Sequence, residues 1–186
     1  GEIEQALSWL EAVGTERNCV TVLHCTTDYP TSFEDVNLTA MKTIAEAFGV
    51  KVGYSDHTEG IEVPIAAAAL GAAVIEKHFT LDKSLPGPDH KASLDPKELK
   101  QMVQSVRNIE KALGCAQKRV TSSEEKNKEV VRKGLYAAKD IPEGEVFSPE
   151  NIIAKRPEHV INAAYWHKII GITAKKNYKK DDPIKW

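Results

Sequence analysis

Apolar residues recur at Ile3, Ala6, Leu7, Leu10 and Val13, the spacing of an amphipathic helix, and Gly14 stands where a helix-ending glycine belongs. A β-branched run, Val20 to Leu23, follows and finishes in His24-Cys25-Thr26-Thr27-Asp28-Tyr29-Pro30. The pattern then predicts a helix over Val36–Phe48, with Leu38, Met41, Ala45 and Phe48 on one face and Gly49 after it. Val50 to Val52 predicts a strand that runs out into Ser55-Asp56-His57. Ile61 to Leu70 is a small-residue helix in which Pro64 is tolerable only in the first turn. Ala72 to Ile75 predicts a third strand, ending in Glu76-Lys77-His78. Asp95-Pro96-Lys97-Glu98 combines an N-cap, an N1 proline and an N3 glutamate, and opens a helix carrying Leu99, Met102, Val103, Val106 and Leu113 to Gly114.

The predicted order is α-β-α-β-α-β-loop-α, with the strands parallel by right-handed crossovers. Strand spacing is uneven, roughly thirty residues and then roughly twenty, and the first element is a helix without a strand before it. A (β/α)₈ barrel needs eight strands and about 250 residues. Three strands therefore form either a small open sheet or the last part of a larger fold, and the second alternative is favoured. From about 116 to 131 the chain turns polar and charged, as a linker or an outer helix would. Beyond it lie short strands and turn signals such as Pro142-Glu143-Gly144-Glu145. Ala137-Ala138-Lys139-Asp140-Ile141 and Ala174-Lys175-Lys176-Asn177-Tyr178 lie 37 residues apart, and Gly144 matches Asp181. Two strand-turn-strand halves about a pseudo-twofold axis would account for that, as would chance. The expected organisation is a partial barrel at 1–115, a linker at 116–131 and a small mixed β-rich domain at 132–186.

Composition narrows the functional classes. The 186 residues include 25 basic and 27 acidic side chains, for a net charge of −2, so no single-sign field argues for nucleic acid or an anionic membrane as partner. Three cysteines, Cys19, Cys25 and Cys115, lack C-x-x-C spacing and suit a reducing, cytoplasmic setting. The longest apolar stretch, Val63 to Ile75, is too short to span a bilayer.

Parallel strands deliver their C-terminal ends to one edge, where α/β folds place chemistry. Gly53-Tyr54-Ser55-Asp56-His57 and Glu76-Lys77-His78-Phe79 would bring two imidazoles, two carboxylates, a lysine and a serine there. Adjacent strands are about 4.8 Å apart, so His57 and His78 could share one metal ion, with Asp56 and Glu76 orienting them. Two ligands leave positions open for water and substrate. Nitrogen and water ligation suits Mn²⁺, Zn²⁺, Fe²⁺ or Co²⁺ without choosing among them; hydrogen-bonded histidines without metal are the alternative. The turn Cys25-Thr26-Thr27-Asp28-Tyr29-Pro30 offers hydroxyl and N–H groups to an anion such as phosphate, or is an ordinary β-α turn. His24 and Cys25 are expected to be structural. The loop Pro86-Gly87-Pro88-Asp89-His90-Lys91-Ala92-Ser93 could hold a polyhydroxylated ligand through Asp89 and Lys91, or be a solvated connection. Arg156, before Pro157, is by default an exposed charge.

Four of these segments together, His24–Pro30, Gly53–Thr58, Glu76–Asp82 and Pro86–His90, resemble the sialic acid synthase family in order and spacing. The segment from Lys133-Gly134-Leu135 through Lys155-Arg156-Pro157 to Gly171 and beyond resembles that family's antifreeze-like (SAF) domain. The resemblance implies strands six to eight of a (β/α)₈ TIM barrel followed by an SAF domain. It also implies condensation of phosphoenolpyruvate with an N-acetylmannosamine-type aldehyde to a nonulosonic acid and phosphate. It makes His57 and His78 the ligands of a divalent metal, usually Mn²⁺. Ser55 and Thr27 fall near the phosphoenolpyruvate phosphate, although Thr27 replaces the asparagine of some members. Tyr29 and Glu76 fall close to the reacting carbons, and Asp89 on the sugar hydroxyls. Arg156 would reach the sugar's acyl group from the SAF domain of a homodimer partner.

Family members are about twice this length, so the resemblance implies that lysines binding phosphoenolpyruvate and a glutamate contacting the sugar precede Gly1. The 186-residue chain would then be an incomplete fragment, inactive and poorly stable alone, with an open sheet edge. Three alternatives stay open. One is a legionaminic or other nonulosonate synthase of the same family. Another is a 3-deoxy-aldulosonate synthase, against which the SAF-like tail argues. The last is a non-catalytic fragment whose SAF-like unit binds carbohydrate.

Overall fold

The computed structural model describes residues 1–186 as two compact units, Gly1–Ala116 and Gln117–Trp186. The fold class is the expected one, a three-stranded parallel β/α segment followed by a small antiparallel β unit.

In the first unit α1 (Glu2–Ala12), β1 (Thr21–Cys25), α2 (Ala40–Phe48), β2 (Lys51–Asp56), α3 (Glu62–Ala69), β3 (Ile75–Lys77) and α4 (Pro96–Leu113) follow one another. The strands pair in parallel in the order β1-β2-β3. Cys25, Ser55 and Glu76 share one rung, and Asp56 pairs with Lys77 on the next. Alternation then separates the sheet's two faces. Val52, Tyr54 and Ile75 pack with Met41, Val63 and Ala67 of the helices, while Leu23, Cys25, Gly53, Ser55 and Glu76 face the other way. Gly53 is required by close approach: a Cβ there would stand 2.5 Å from the Val74 carbonyl oxygen. That approach accompanies the bonds Tyr54 N–H to Val74 O, 3.0 Å, and Ala73 N–H to Val52 O, 2.7 Å.

Several local expectations shift. The helix predicted over Val36–Phe48 begins only at Ala40, because Asn37 is left-handed (φ 48°) and short turns fill the interval. The third strand starts three residues later than the predicted run, at Ile75, and ends at Lys77, since a short apolar run fixes no register. Of the stripe predicted on α1, Leu7 alone is buried, and Leu10 and Val13 are exposed. The α4 terminus matches its signature: Glu98 N–H donates to Asp95 Oδ1 at 2.7 Å and Asp95 N–H to Glu98 Oε2 at 3.0 Å.

The second unit starts with α5 (Ser122–Val131), capped reciprocally by Thr121 and Glu124, so the polar stretch there is helical. β4 (Gly134–Ala137) and β5 (Ile152–Lys155) pair antiparallel, and the short α6 (Trp166–Ile169) follows. Leu135, Ile141, Phe147, Ile152, Ile161, Ile169, Tyr178 and Ile184 share one core. The repeat is structural. Ile141 and Tyr178 exchange both backbone hydrogen bonds at 2.8 Å. Gly144 N–H to Ala174 O is mirrored by Asp181 N–H to Ala137 O, each 2.9 Å. Glu143 N–H to Asn177 Oδ1, 2.8 Å, is mirrored by Lys180 N–H to Asp140 Oδ1, 2.9 Å. Gly144 (φ 91°) and Asp181 (φ 73°) make the same left-handed turn, open to glycine and, at some cost, to aspartate.

Candidate active site

At the C-terminal ends of β1, β2 and β3 the rings of Tyr29, His57 and His78 form a triangle. Centroids lie 5.2 Å apart for the two imidazoles, 4.3 Å for Tyr29–His78 and 5.3 Å for Tyr29–His57. The backbone holds each histidine from a neighbouring segment. Thr31 N–H donates to His57 O at 2.9 Å and Leu94 N–H to His78 O at 3.0 Å.

The His57 ring is oriented by its Nδ1, 2.7 Å from the Thr26 carbonyl oxygen. A carbonyl only accepts, so Nδ1 carries the proton and, in the neutral ring, Nε2 keeps its lone pair. His78 Nδ1 lies 3.6 Å from Asp89 Oδ2, so the carboxylate faces the same nitrogen of the second ring. The His57 ring therefore engages Nδ1 and leaves Nε2 as a donor atom, while the His78–Asp89 approach is longer than a hydrogen bond. No cluster of three or more His, Cys, Asp or Glu side chains placed to hold a metal ion is present; the two imidazoles stand as a pair.

The orienting groups differ from those expected. Asp56 is buried, takes Lys77 Nζ on Oδ2 at 2.5 Å, and accepts on Oδ1 from Thr58 N–H and Oγ1 at 3.0 and 2.9 Å. Neither Asp56 nor Lys77 joins the site, because both belong to the rung that alternation turns toward the helices. Glu76 does face the site, where Ser55 Oγ donates to its Oε1 at 2.7 Å. Cys25 is exposed rather than buried, with Sγ 3.9 Å from His57 Nδ1, while His24 is structural, its ring against Tyr54 and Nε2 3.0 Å from Val36 O.

Asp89 belongs to a tethered loop. Its carbonyl accepts from Ser93 Oγ at 2.7 Å and from the Tyr29 hydroxyl at 3.3 Å. Burial raises the Tyr29 hydroxyl above its ordinary range, offset in part by its bond to Ser93, and the charges of Asp89 and Asp56 add to the rise. It stays protonated at neutral pH and so remains a donor. His90 Nδ1 lies 2.7 Å from Thr80 Oγ1, and Lys83 Nζ meets Glu98 at 2.6 Å, pinning the loop's two ends. Thr27 is exposed in the turn after β1. Arg156 is exposed in the second unit, where its Nε donates to Val131 O at 2.6 Å.

Of the eight expected site residues, Tyr29, His57, His78 and Asp89 are thus linked by contact, and Ser55 and Glu76 pair with each other on the same strand ends. The geometry defines a class: a β/α protein with paired imidazoles, a carboxylate and a tyrosine at its strand ends. Residues 1–118 match the model of the NeuB family and residues 132–186 that of the SAF domain; the chain belongs to the NeuB family. It is 53% identical over 185 residues to the N,N'-diacetyllegionaminic acid synthase of Campylobacter jejuni, covering all of this chain and 55% of that protein. It is 45% identical over 163 residues to the pseudaminic acid synthase of the same species, covering 88% of this chain and 47% of that protein. The solved N-acetylneuraminic acid (sialic acid) synthetase of Leptospira borgpetersenii, in complex with citrate, superposes with a TM-score of 0.60 at 39% identity, covering 68% of this chain and 43% of that one. The chain therefore spans about half the length of these relatives. No helix is long and apolar enough to cross a membrane.

Proposed function

We propose that the intact protein condenses phosphoenolpyruvate with the open-chain aldehyde of an N-acylated mannosamine-type sugar, giving a nonulosonic acid and phosphate. The observation that carries this reading is the pair of imidazoles 5.2 Å apart at the strand ends, packed against Tyr29 and with His57 Nε2 left as a donor atom, in a chain of the NeuB family. A divalent metal, Mn²⁺ in our reading, held by His57 and His78 would supply Lewis-acid activation of the sugar aldehyde. The enol carbon of phosphoenolpyruvate attacks the aldehyde carbon, water adds at C2, and the tetrahedral intermediate expels phosphate with C–O cleavage.

In this scheme Glu76 takes the proton of the attacking water, with Ser55 holding one carboxylate oxygen and leaving the other free. Thr27 offers its hydroxyl to the phosphate, near which Ser55 also lies while its one proton stays on Glu76, and the Tyr29 hydroxyl, a persistent donor, sits beside the reacting carbons. Asp89, exposed on its tethered loop, accepts from sugar hydroxyls. Arg156, from the SAF domain of a second copy in a homodimer, binds the sugar's acyl group. We assign the activity to the intact protein and expect none from the 186-residue chain alone.

The decisive assay gives the intact protein phosphoenolpyruvate, Mn²⁺ and a panel of N-acyl hexosamines. Phosphate release only with a mannosamine-type sugar is expected, abolished by chelation and restored by Mn²⁺. Release with a plain aldose phosphate, or none with any sugar, would overturn the reading. A second substrate, a 2,4-diacetamido-6-deoxy sugar as for legionaminic acid, is favoured by the 53% identity to a legionaminic acid synthase and belongs in the same panel.

A further inference from the structure

We infer that Asp56 and Lys77 are positioning residues, a buried clamp that sets the spacing and aim of the two imidazoles; this rests on the reading of His57 and His78 as metal ligands. Asp56 and Lys77 are register partners on the last rung joining β2 to β3, and each immediately precedes one histidine. Their side chains are 0% and 3% exposed, with Nζ to Oδ2 at 2.5 Å. The clamp reaches past His57 as well. Lys77 Nζ also donates to Thr58 O at 2.6 Å, and Asp56 Oδ1 takes both the N–H and the hydroxyl of Thr58. The residues on both sides of His57 are thereby tied to the residue before His78. Neither strand end can turn or slide without breaking a bond inside this network, and the two rings stand 5.2 Å apart above it.

A stability role alone does not account for the pair. Buried ion pairs are commonly no better than apolar residues of the same volume, because desolvation offsets the attraction, and fixing register is their best-attested use. Here the register in question is the one that brings two ligands to one point. Asp56 and Lys77 lie on the helix-covered side of the sheet, so they act through the histidines and not on substrate.

The test uses the intact protein and the Mn²⁺ signal in electron paramagnetic resonance, read without substrate, alongside kcat and KM. Asp56→Asn keeps shape but removes the charge, and the double variant Asp56→Leu with Lys77→Met replaces the pair by apolar volume. We expect the double variant to melt at or above the wild-type temperature. In both variants the Mn²⁺ dissociation constant should rise about 10- to 100-fold, the loss typical when groups supporting metal ligands are removed. Turnover should fall at saturating substrate while the KM for phosphoenolpyruvate stays near wild type. A folded double variant with wild-type Mn²⁺ affinity would overturn the clamp, and so would loss of the fold in both variants, which would make the pair a purely structural element. Wild-type protein that binds no Mn²⁺, or a His57→Ala variant that binds it equally well, would instead overturn the metal reading and remove the basis of the clamp.

Discussion

On the helix-covered face of the parallel sheet, Asp56, Lys77 and Thr58 are buried and close their hydrogen bonds on one another. On the opposite face one atom of the His57 ring and one of the Glu76 carboxylate are held, by Thr26 and Ser55, and the next is left open, while the His78 ring meets Asp89 only at 3.6 Å. These polar groups alternate along the same two short segments, yet one set is sealed and the other is poised. Alternation, more than residue type, divides structural polar chemistry from functional polar chemistry here. A sealed network contributes rigidity, and an open one can change partners during a reaction.

The contrast breaks most visibly at Asp56. Asp56→Ala leaves the Lys77 ammonium buried without its counter-charge and should cost about 3–5 kcal/mol in urea unfolding of the intact protein. His57→Ala, on the open face, should cost only about 0.5–1.5 kcal/mol, the worth of its bond to Thr26, while abolishing Mn²⁺ binding. Equal losses would dissolve the distinction between the faces. Gly53→Ala comes next, at about 1–3 kcal/mol, because its Cβ meets the Val74 carbonyl between two strands that cannot part cheaply.

Tyr54 sharpens the sealed face in the other direction. Its hydroxyl is buried without a hydrogen bond of acceptable geometry, although Thr26 lies close enough to act on it. Burial first, then the charge of Asp56, pushes the hydroxyl up to about 12. The raised value means that ionisation of this hydroxyl leaves stability untouched below pH of about 10, the ordinary tyrosine value, and lowers it as pH rises from there toward about 12. Tyr54→Phe should stabilise the protein by about 1 kcal/mol at neutral pH and flatten that alkaline slope in pH-dependent unfolding. Glu76→Gln should have the smallest effect on stability, within about 0.5 kcal/mol, while removing turnover and leaving substrate binding nearly intact.

Much of the site was legible because it depends on position along strands. A strand run followed by titratable residues places them at an edge, and two such runs place them together; His57, His78, Ser55 and Glu76 follow from that alone. Residue type alone places Asp56 and Lys77 at the same edge, whereas period-two alternation from Ser55 and Glu76 turns them to the other face. Cys25, expected to be structural, is exposed, because the rung it shares with Ser55 and Glu76 puts it on the open face. The start of α2 was not legible, since a left-handed Asn37 leaves no signature in apolar spacing. α5 was: Thr121-Ser122-Ser123-Glu124 is a capping box, an N-terminus signal inside a stretch whose charge alone suggested a linker. In the second unit a five-residue repeat too faint to stand by itself was supported by the mirrored bonds of Ile141 with Tyr178 and of Gly144 with Asp181.

Anomalous diffraction from crystals of the intact protein grown with Mn²⁺ tests the central claim most directly. The account predicts a single peak bonded to Nε2 of both His57 and His78, with His57 Nδ1 still on the Thr26 carbonyl and the Asp56–Lys77 pair unchanged beneath. A peak bound elsewhere, ligation through Nδ1, or no peak at the paired imidazoles would contradict it.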